Sequence, residues 1–205
     1  MNLAIVNYGM GNLLSVRNAF ASLGAEAEVV EAGQDLERAG AIVLPGVGAF
    51  GEAMKQLRAR GLEEALHREV MERKKPFLGI CLGLQLLARR GHELGVNDGL
   101  GWVAGEVRRL DVAPDLRVPH IGWSEVEGRG PLFAGIPDRT AFYFVHSYHF
   151  VAEDPAVVHG TTVYGHRFTS AVAHENVVAV QFHPEKSHKW GLALLANFLA
   201  FARSA

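Results

Sequence analysis

The amino-acid sequence predicts an α/β protein of three layers: a mostly parallel central sheet, helices on both faces, and additional antiparallel strands. Three observations predict it. Near-continuous apolar runs alternate with amphipathic helical segments through the first half of the chain. From residue 101 to 182 the sequence is richer in Val, Tyr, Phe and Thr, with turn clusters at 111–115, 127–131 and 153–155. The final segment then returns to a helical pattern.

Taken in order, residues 3–7 are a short apolar run closed by Tyr8-Gly9-Met10-Gly11, a strand followed by a turn. Asn12 suits the cap of a helix whose apolar positions Leu13, Val16, Phe20 and Leu23 share one face, and Gly24 suits its end. Residues 28–31 and 41–44 read as further strands, the second followed by Pro45-Gly46-Val47-Gly48. Residues 51–75 are helical in pattern, with a break near Gly61. Residues 76–80 read as a buried strand and 82–90 as a helix. The tail, 187–202, reads as a helix that is apolar nearly all round and therefore buried. No linker, repeat or low-complexity tract interrupts the chain, so residues 1–205 read as one domain.

Composition removes several classes of function. With 49% hydrophobic residues and a net charge of −2, intrinsic disorder is excluded. The near balance of 20 Lys+Arg against 22 Asp+Glu gives no general attraction to nucleic acid or to an anionic membrane surface. A single cysteine, Cys81, forbids an internal disulfide and any multi-thiolate metal site, and points to a reducing, cytoplasmic setting. The start of the chain lacks the basic region of a signal peptide. The most apolar stretch, 190–202, is shorter than the roughly 20 residues of a spanning helix.

Chemistry concentrates in a few places. Gly9-Met10-Gly11 after the first strand imitates a dinucleotide-binding fingerprint, but Leu14 stands where the third glycine is needed, so a plain capped turn is the better reading. Gly79-Ile80-Cys81-Leu82-Gly83 has the form Gly-x-nucleophile-x-Gly between a strand and a helix. At such an elbow Cys81 meets a helix N-terminus, which favours the thiolate, and the Leu82 amide faces an oxyanion. A lone cysteine in an apolar run also reads as a buried structural residue. A thiolate needs a base, and the base needs an orienting group. Among ten histidines, His183 follows an apolar strand and precedes Pro184, which holds it extended. In extended chain it shares a face with Glu185, whose carboxylate would fix the imidazole tautomer. Taken alone, a His-Pro-Glu turn is also an ordinary surface loop. Pro45-Gly46-Val47-Gly48 lies at the same sheet edge and offers a second oxyanion donor. A zinc site on His146 and His149 is disfavoured, since residues three apart on a strand face opposite ways.

Gly-Ile-Cys-Leu-Gly-Leu-Gln at 79–85, Gln-Phe-His-Pro-Glu-Lys-Ser at 181–187 and Pro-Gly-Val-Gly at 45–48 together resemble the class I (triad) glutamine amidotransferases. Segments 7–12, 45–50, 120–123 and 143–148 narrow the resemblance to the glutaminase subunits of imidazole glycerol phosphate synthase. It spans essentially the whole chain.

The resemblance implies a flavodoxin-like fold without cofactor or metal, and a glutaminase in which Cys81 attacks glutamine, His183 moves the proton and Glu185 orients His183. It implies an oxyanion hole from Val47, Gly48 and Leu82, and a substrate site from Gly46, Gln85, His146, Ser147 and Tyr148. It further implies a heterodimer with a cyclase subunit that receives the ammonia, with Asn12, Trp123 and Lys186 near that interface. Other triad amidotransferases, γ-glutamyl hydrolases and a catalytically silent scaffold share parts of this pattern and remain alternatives.

Overall fold

A computed structural model describes residues 2–204. The first half builds β1 (Leu3–Val6), α1 (Leu13–Ser22), β2 (Ala27–Val30), β3 (Ala41–Gly46), α2 (Phe50–Ala59), α3 (Leu62–Leu66), β4 (Phe77–Cys81) and α4 (Leu82–Gln85). Three short strands follow: β5 (Arg90–Gly91), β6 (Asn97–Asp98) and β7 (Gly105–Arg109). The remainder is β8 (His120–Gly128), β9 (Thr140–His146), β10 (Tyr148–Ala152), β11 (Val158–Tyr164), β12 (His166–His174), β13 (Val177–Val180) and α5 (His188–Ser204).

Nine strands form the main sheet in the order β2-β1-β3-β4-β13-β12-β11-β8-β9. Its first five strands are mutually parallel, and from β13 onward every pairing is antiparallel. A second sheet, β10-β7-β5-β6, flanks it. The parallel strands are buried on both faces, so their side chains divide by alternation. Ala4, Val6, Ile42, Leu44, Phe77 and Ala179 join one core with α2 and α3. Leu3, Ile5, Val43, Leu78, Ile80 and Val180 join the other, with α1 and α5.

Asn12 caps α1 by accepting from the Ser15 N–H at 3.3 Å, and Val16 and Phe20 are its buried face. The helical stretch 51–75 breaks at Gly61, whose φ of +64° suits glycine. Beyond it α3 runs on as a π-helical segment, His67–Glu72. The turn clusters lie between strands, except that Glu127 and Gly128 still belong to β8.

Two helices depart from the sequence expectation. The helix expected over 82–90 stops at Gln85, because the carbonyls of Leu86, Leu87 and Ala88 accept instead from Leu100, Val103 and Gly101. The chain there serves the small sheet rather than a longer helix. The tail helix is not buried all round. Gly191, Leu194, Leu195, Phe198, Leu199 and Ala202 face the core, while the opposite side lies at the surface of its layer.

The end of the sheet remote from Cys81 is held by an ion cluster. The Glu69 side chain is wholly buried and meets Arg73 at 2.8 Å and Lys75 at 2.7 Å. Burial opposes its ionisation, but hydrogen bonds from Lys75 and Arg73 outweigh that and hold its carboxyl below the ordinary range. Asn176 donates to the Val70 and Lys75 carbonyls alongside. Removing Glu69 leaves the mostly buried Lys75 without its carboxylate while the half-exposed Arg73 turns to water, so the cost falls at the low end of the about 3–5 kcal/mol of a broken buried pair. Glu69→Ala is therefore expected to lower the unfolding free energy by about 3 kcal/mol in urea titration; a loss under about 1 kcal/mol would contradict this account of the cluster.

Candidate active site

The site is built where β3, β4 and β13 end side by side. Gly46 pairs with Cys81 across β3 and β4, and Val180 pairs with Ile80 across β13 and β4. Cys81 terminates β4 with φ +55° and ψ −105°, and α4 starts at the next residue. This is a left-handed conformation that a cysteine enters only under constraint. The two flanking glycines supply the constraint. A Cβ on Gly83 would collide with the Leu44 carbonyl, and one on Gly79 would press on the Gly83 carbonyl and Ala179. The elbow thus exists because backbone approaches backbone on both sides of Cys81. With only four residues, α4 supplies less dipole at Cys81 than the longer expected helix.

His183 follows β13 in extended conformation, φ −102° and ψ +95°, as a residue before proline should be. Its Nδ1 lies 2.8 Å from Glu185 Oε1, and both side chains are 3% exposed. The contact does not arise from extended chain, as the sequence suggested. Pro184–Lys186 is a 3₁₀ turn, and it swings the carboxylate back under the ring. Ser187 fastens that turn, donating to the His183 carbonyl at 2.6 Å and accepting from the Tyr143 N–H at 3.0 Å. Burial lowers the proton affinity of His183, but the Cys81 sulfur on one side and the Glu185 carboxylate on the other outweigh it and raise the imidazole to about 10. Nε2, buried, makes no aligned hydrogen bond. The Cys81–His183 pairing is therefore one of proximity and charge in this conformation.

Two glutamines tie the sulfur to the cleft wall. Gln85 Nε2 donates to the Tyr148 carbonyl at 2.8 Å and to Gln181 Oε1 at 3.1 Å. Gln181 in turn directs its Nε2 at Cys81 Sγ, 3.6 Å away. Tyr8 stands beneath: its hydroxyl is buried without a partner and occupies the space a Gly46 side chain would need. Burial, and next the nearby Cys81, push its phenol well above the ordinary range.

A cleft of about 390 Å³ opens above Cys81. It is lined by Val47, Gly48, Cys81, Leu82, Gln85, His146, Ser147 and Tyr148, with Glu93 and Pro119 at its margin. Eight residues expected at the site from sequence therefore meet in one place, while His183 and Glu185 do not line the cleft, His183 lying buried beside Cys81 with Glu185 on its other nitrogen. Gly46 does not line the cleft; it lies buried below it. Asn12, Trp123 and Lys186 lie outside it. Trp123 is half exposed and stacks on His188 at 5.1 Å, two residues beyond Lys186, and α1 packs on the 184–186 turn. Gln181, Ser187 and Tyr8 received no role from sequence reasoning, although all three sit inside the motif segments that define the resemblance. His146 ends β9 and His149 lies within β10. Among the described residues, no three His, Cys, Asp or Glu side chains are grouped to hold a metal ion.

The sequence profile of the class-I glutamine amidotransferases matches residues 4–201. The chain belongs to that family. Three similar proteins are imidazole glycerol phosphate synthase HisH subunits. That of Moorella thermoacetica is 49% identical over 99% of this chain and 96% of its own length. That of Herpetosiphon aurantiacus is 47% identical over 98% and 95%. HisH 2 of Pseudomonas aeruginosa is 43% identical over 96% and 98%. A solved glutamine amidotransferase superposes with TM-score 0.76 at 24% identity over 98% of both chains. PurLQS from Thermotoga maritima does so with TM-score 0.76 at 17% identity, again over 98% of both. These two establish likeness of fold.

In this amidotransferase the buried histidines beside the cleft are held neutral. Burial lowers His120 and His149 to about 4 and His146 to about 3. Unfolded histidine titrates near 6.5. As the pH falls from 6.5 toward 4, the unfolded chain binds protons that these folded residues refuse, so stability falls with it. His183, charged in the folded state across this range, offsets only a small part, since it is one residue against three and its unfolded form finishes protonating by about pH 5. The urea midpoint is expected to drop between pH 6.5 and pH 5; an unchanged midpoint would refute neutral burial of the three rings.

Proposed function

We propose that this chain is the glutaminase subunit of imidazole glycerol phosphate synthase, acting in histidine biosynthesis and in the cytoplasm. One observation carries the reading: the only cysteine stands in a strained elbow, its sulfur facing a buried imidazole that a buried carboxylate orients. That is the geometry of nucleophilic acyl transfer. The match of the HisH subunits along nearly the whole chain supplies the pathway.

Cys81 Sγ attacks the side-chain carbonyl carbon of glutamine, its proton having passed to His183. The tetrahedral oxyanion is stabilised by the Leu82 N–H, free at the start of α4, and by the peptide between Val47 and Gly48 on the opposite lip. His183 then protonates the departing nitrogen, so ammonia leaves and a glutamyl thioester remains on Cys81. Water, deprotonated by His183, cleaves the thioester to glutamate and restores the thiol. Glu185 keeps Nδ1 protonated throughout, leaving Nε2 as the working nitrogen. The walls at His146, Ser147 and Tyr148 hold glutamine, while Gln85 spends its amide hydrogens on protein partners and braces the wall.

The partner is the cyclase subunit, which takes the ammonia and makes imidazole glycerol phosphate and an aminoimidazole carboxamide ribotide. We place it against the face marked by Asn12, Trp123 and Lys186. Leu14 and Ile121 there are 57% and 60% exposed, an apolar display suited to a protein surface. No helix among the described residues is long and apolar enough to cross a membrane.

Glutamate release from glutamine is expected to rise sharply when the purified chain is mixed with the cyclase subunit and its nucleotide ligand. Cys81→Ala should abolish it, and Glu185→Gln should lower kcat roughly 10²–10⁴-fold, as loss of an orienting carboxylate does. Full activity without the partner would point to another acceptor or a free hydrolase. No activity in the complex would leave a silent scaffold.

A further inference from the structure

His120 and His146 face each other across β8 and β9, where the register pairs them. Both are almost completely buried. His146 Nδ1 lies 2.9 Å from the Tyr148 carbonyl oxygen, a group that only accepts, so this nitrogen carries hydrogen. The neutral ring then has its lone pair on Nε2, which lies 3.0 Å from His120 Nδ1. That nitrogen must donate, which leaves His120 Nε2 as an acceptor, 2.8 Å from Ser124 Oγ. One carbonyl thus assigns every proton in a chain of four groups. Packing fixes the plane of the His120 ring, which is stacked between Tyr164 at 4.0 Å and Phe144 at 4.9 Å.

The two ends of this chain lie in different places. His146, Ser147 and Tyr148 line the Cys81 cleft, and the Tyr148 carbonyl also accepts from Gln85, which leads through Gln181 to the sulfur. Ser124, half buried on β8, lines a separate surface depression of about 250 Å³ with Glu125, Arg139 and Arg167. No site residue read from the motifs accounts for His120.

We propose that His120 is a positioning residue for the glutamine cleft: its Nδ1–H fixes His146 as the Nδ1–H tautomer and thereby holds the Tyr148 carbonyl wall in place, with the Ser124 hydroxyl closing the chain at its far end. This rests on the glutaminase reading for its consequence, though not for its proton assignment. Without the His120 donor, the buried Nε2 of His146 keeps an unpaired lone pair, and turning the ring to satisfy it abandons Tyr148. The wall of the substrate site loosens while the cysteine, base and carboxylate stay where they are. The effect therefore belongs in KM rather than kcat.

Nitrogen-15 NMR of the wild-type chain at neutral pH tests the assignment directly. Both rings are expected as the neutral Nδ1–H form, the less common tautomer of free histidine, with resonances assigned by comparison with His120→Asn. An Nε2–H tautomer at either ring would overturn the proposal. Glutaminase kinetics of the complex with the cyclase subunit test the consequence. His120→Phe keeps the aromatic stack and removes the donor, so KM for glutamine should rise about tenfold with kcat within about twofold. His120→Asn places an amide N–H at the Nδ1 position and should restore KM to within about threefold. Equal behaviour of Phe and Asn, or a fall in kcat at constant KM, would overturn it. Should His120→Phe not fold, the wild-type tautomers still decide the matter. Absence of any glutamate release by wild type would refute the glutaminase reading and leave the tautomer result standing.

Discussion

Everything at the site depends on one backbone constraint, the left-handed turn at Cys81. A non-glycine residue in such a conformation costs of order 1–3 kcal/mol and persists only where its surroundings over-determine it. Here they do. β4 is buried between β3 and β13, Gly79 and Gly83 let the first turn of α4 press against the Leu44 carbonyl, and no side chain fits between. The turn lifts the sulfur out of the sheet plane toward the segment that follows β13. Because parallel strands end together, the loops after β3 and β13 arrive at the same edge, where ligands of open α/β sheets bind.

On that frame the surroundings set two opposite electrostatic regimes for one residue type. His183 is buried yet stays charged, since a carboxylate lies on one side and the cysteine on the other. His120 and His146 are buried in the neighbouring aromatic layer with no counter-charge, and stay neutral. The first arrangement keeps a charged imidazole beside the sulfur. The second supplies fixed, directional hydrogen bonds to a carbonyl in the cleft wall. Burial alone gives neither; the partner at each ring nitrogen decides.

The sheet was legible in the sequence because buried parallel strands are short, apolar and followed by glycine turns. Each of the first four strands lies within about a residue or two of its apolar run. Cys81, His183 and Glu185 were legible because the elbow and the proline restrict the backbone locally. What was not legible depends on distant partners. Residues 86–88 carry the same apolar pattern whether their carbonyls serve a helix or the 100–103 loop, and the loop takes them. The bond between His183 and Glu185 comes from a 3₁₀ turn that Ser187 fastens to Tyr143 of β9, which no spacing rule for extended chain contains. Gln181 acquires its contact with the sulfur only because β13 lies beside β4, and position 46 admits no side chain because Tyr8 fills the space it would need.

On this proposal Cys81, set by the elbow and served by His183, is the nucleophile toward a glutamine side chain. Covalent capture tests it most directly. The complex with the cyclase subunit would be treated with a diazoketone analogue of glutamine and the peptides of this chain, which has a single cysteine, examined by mass spectrometry. One equivalent of label is expected on Cys81, prevented by excess glutamine and lost in His183→Ala. Labelling elsewhere, or labelling of Cys81 that glutamine does not slow, would contradict it.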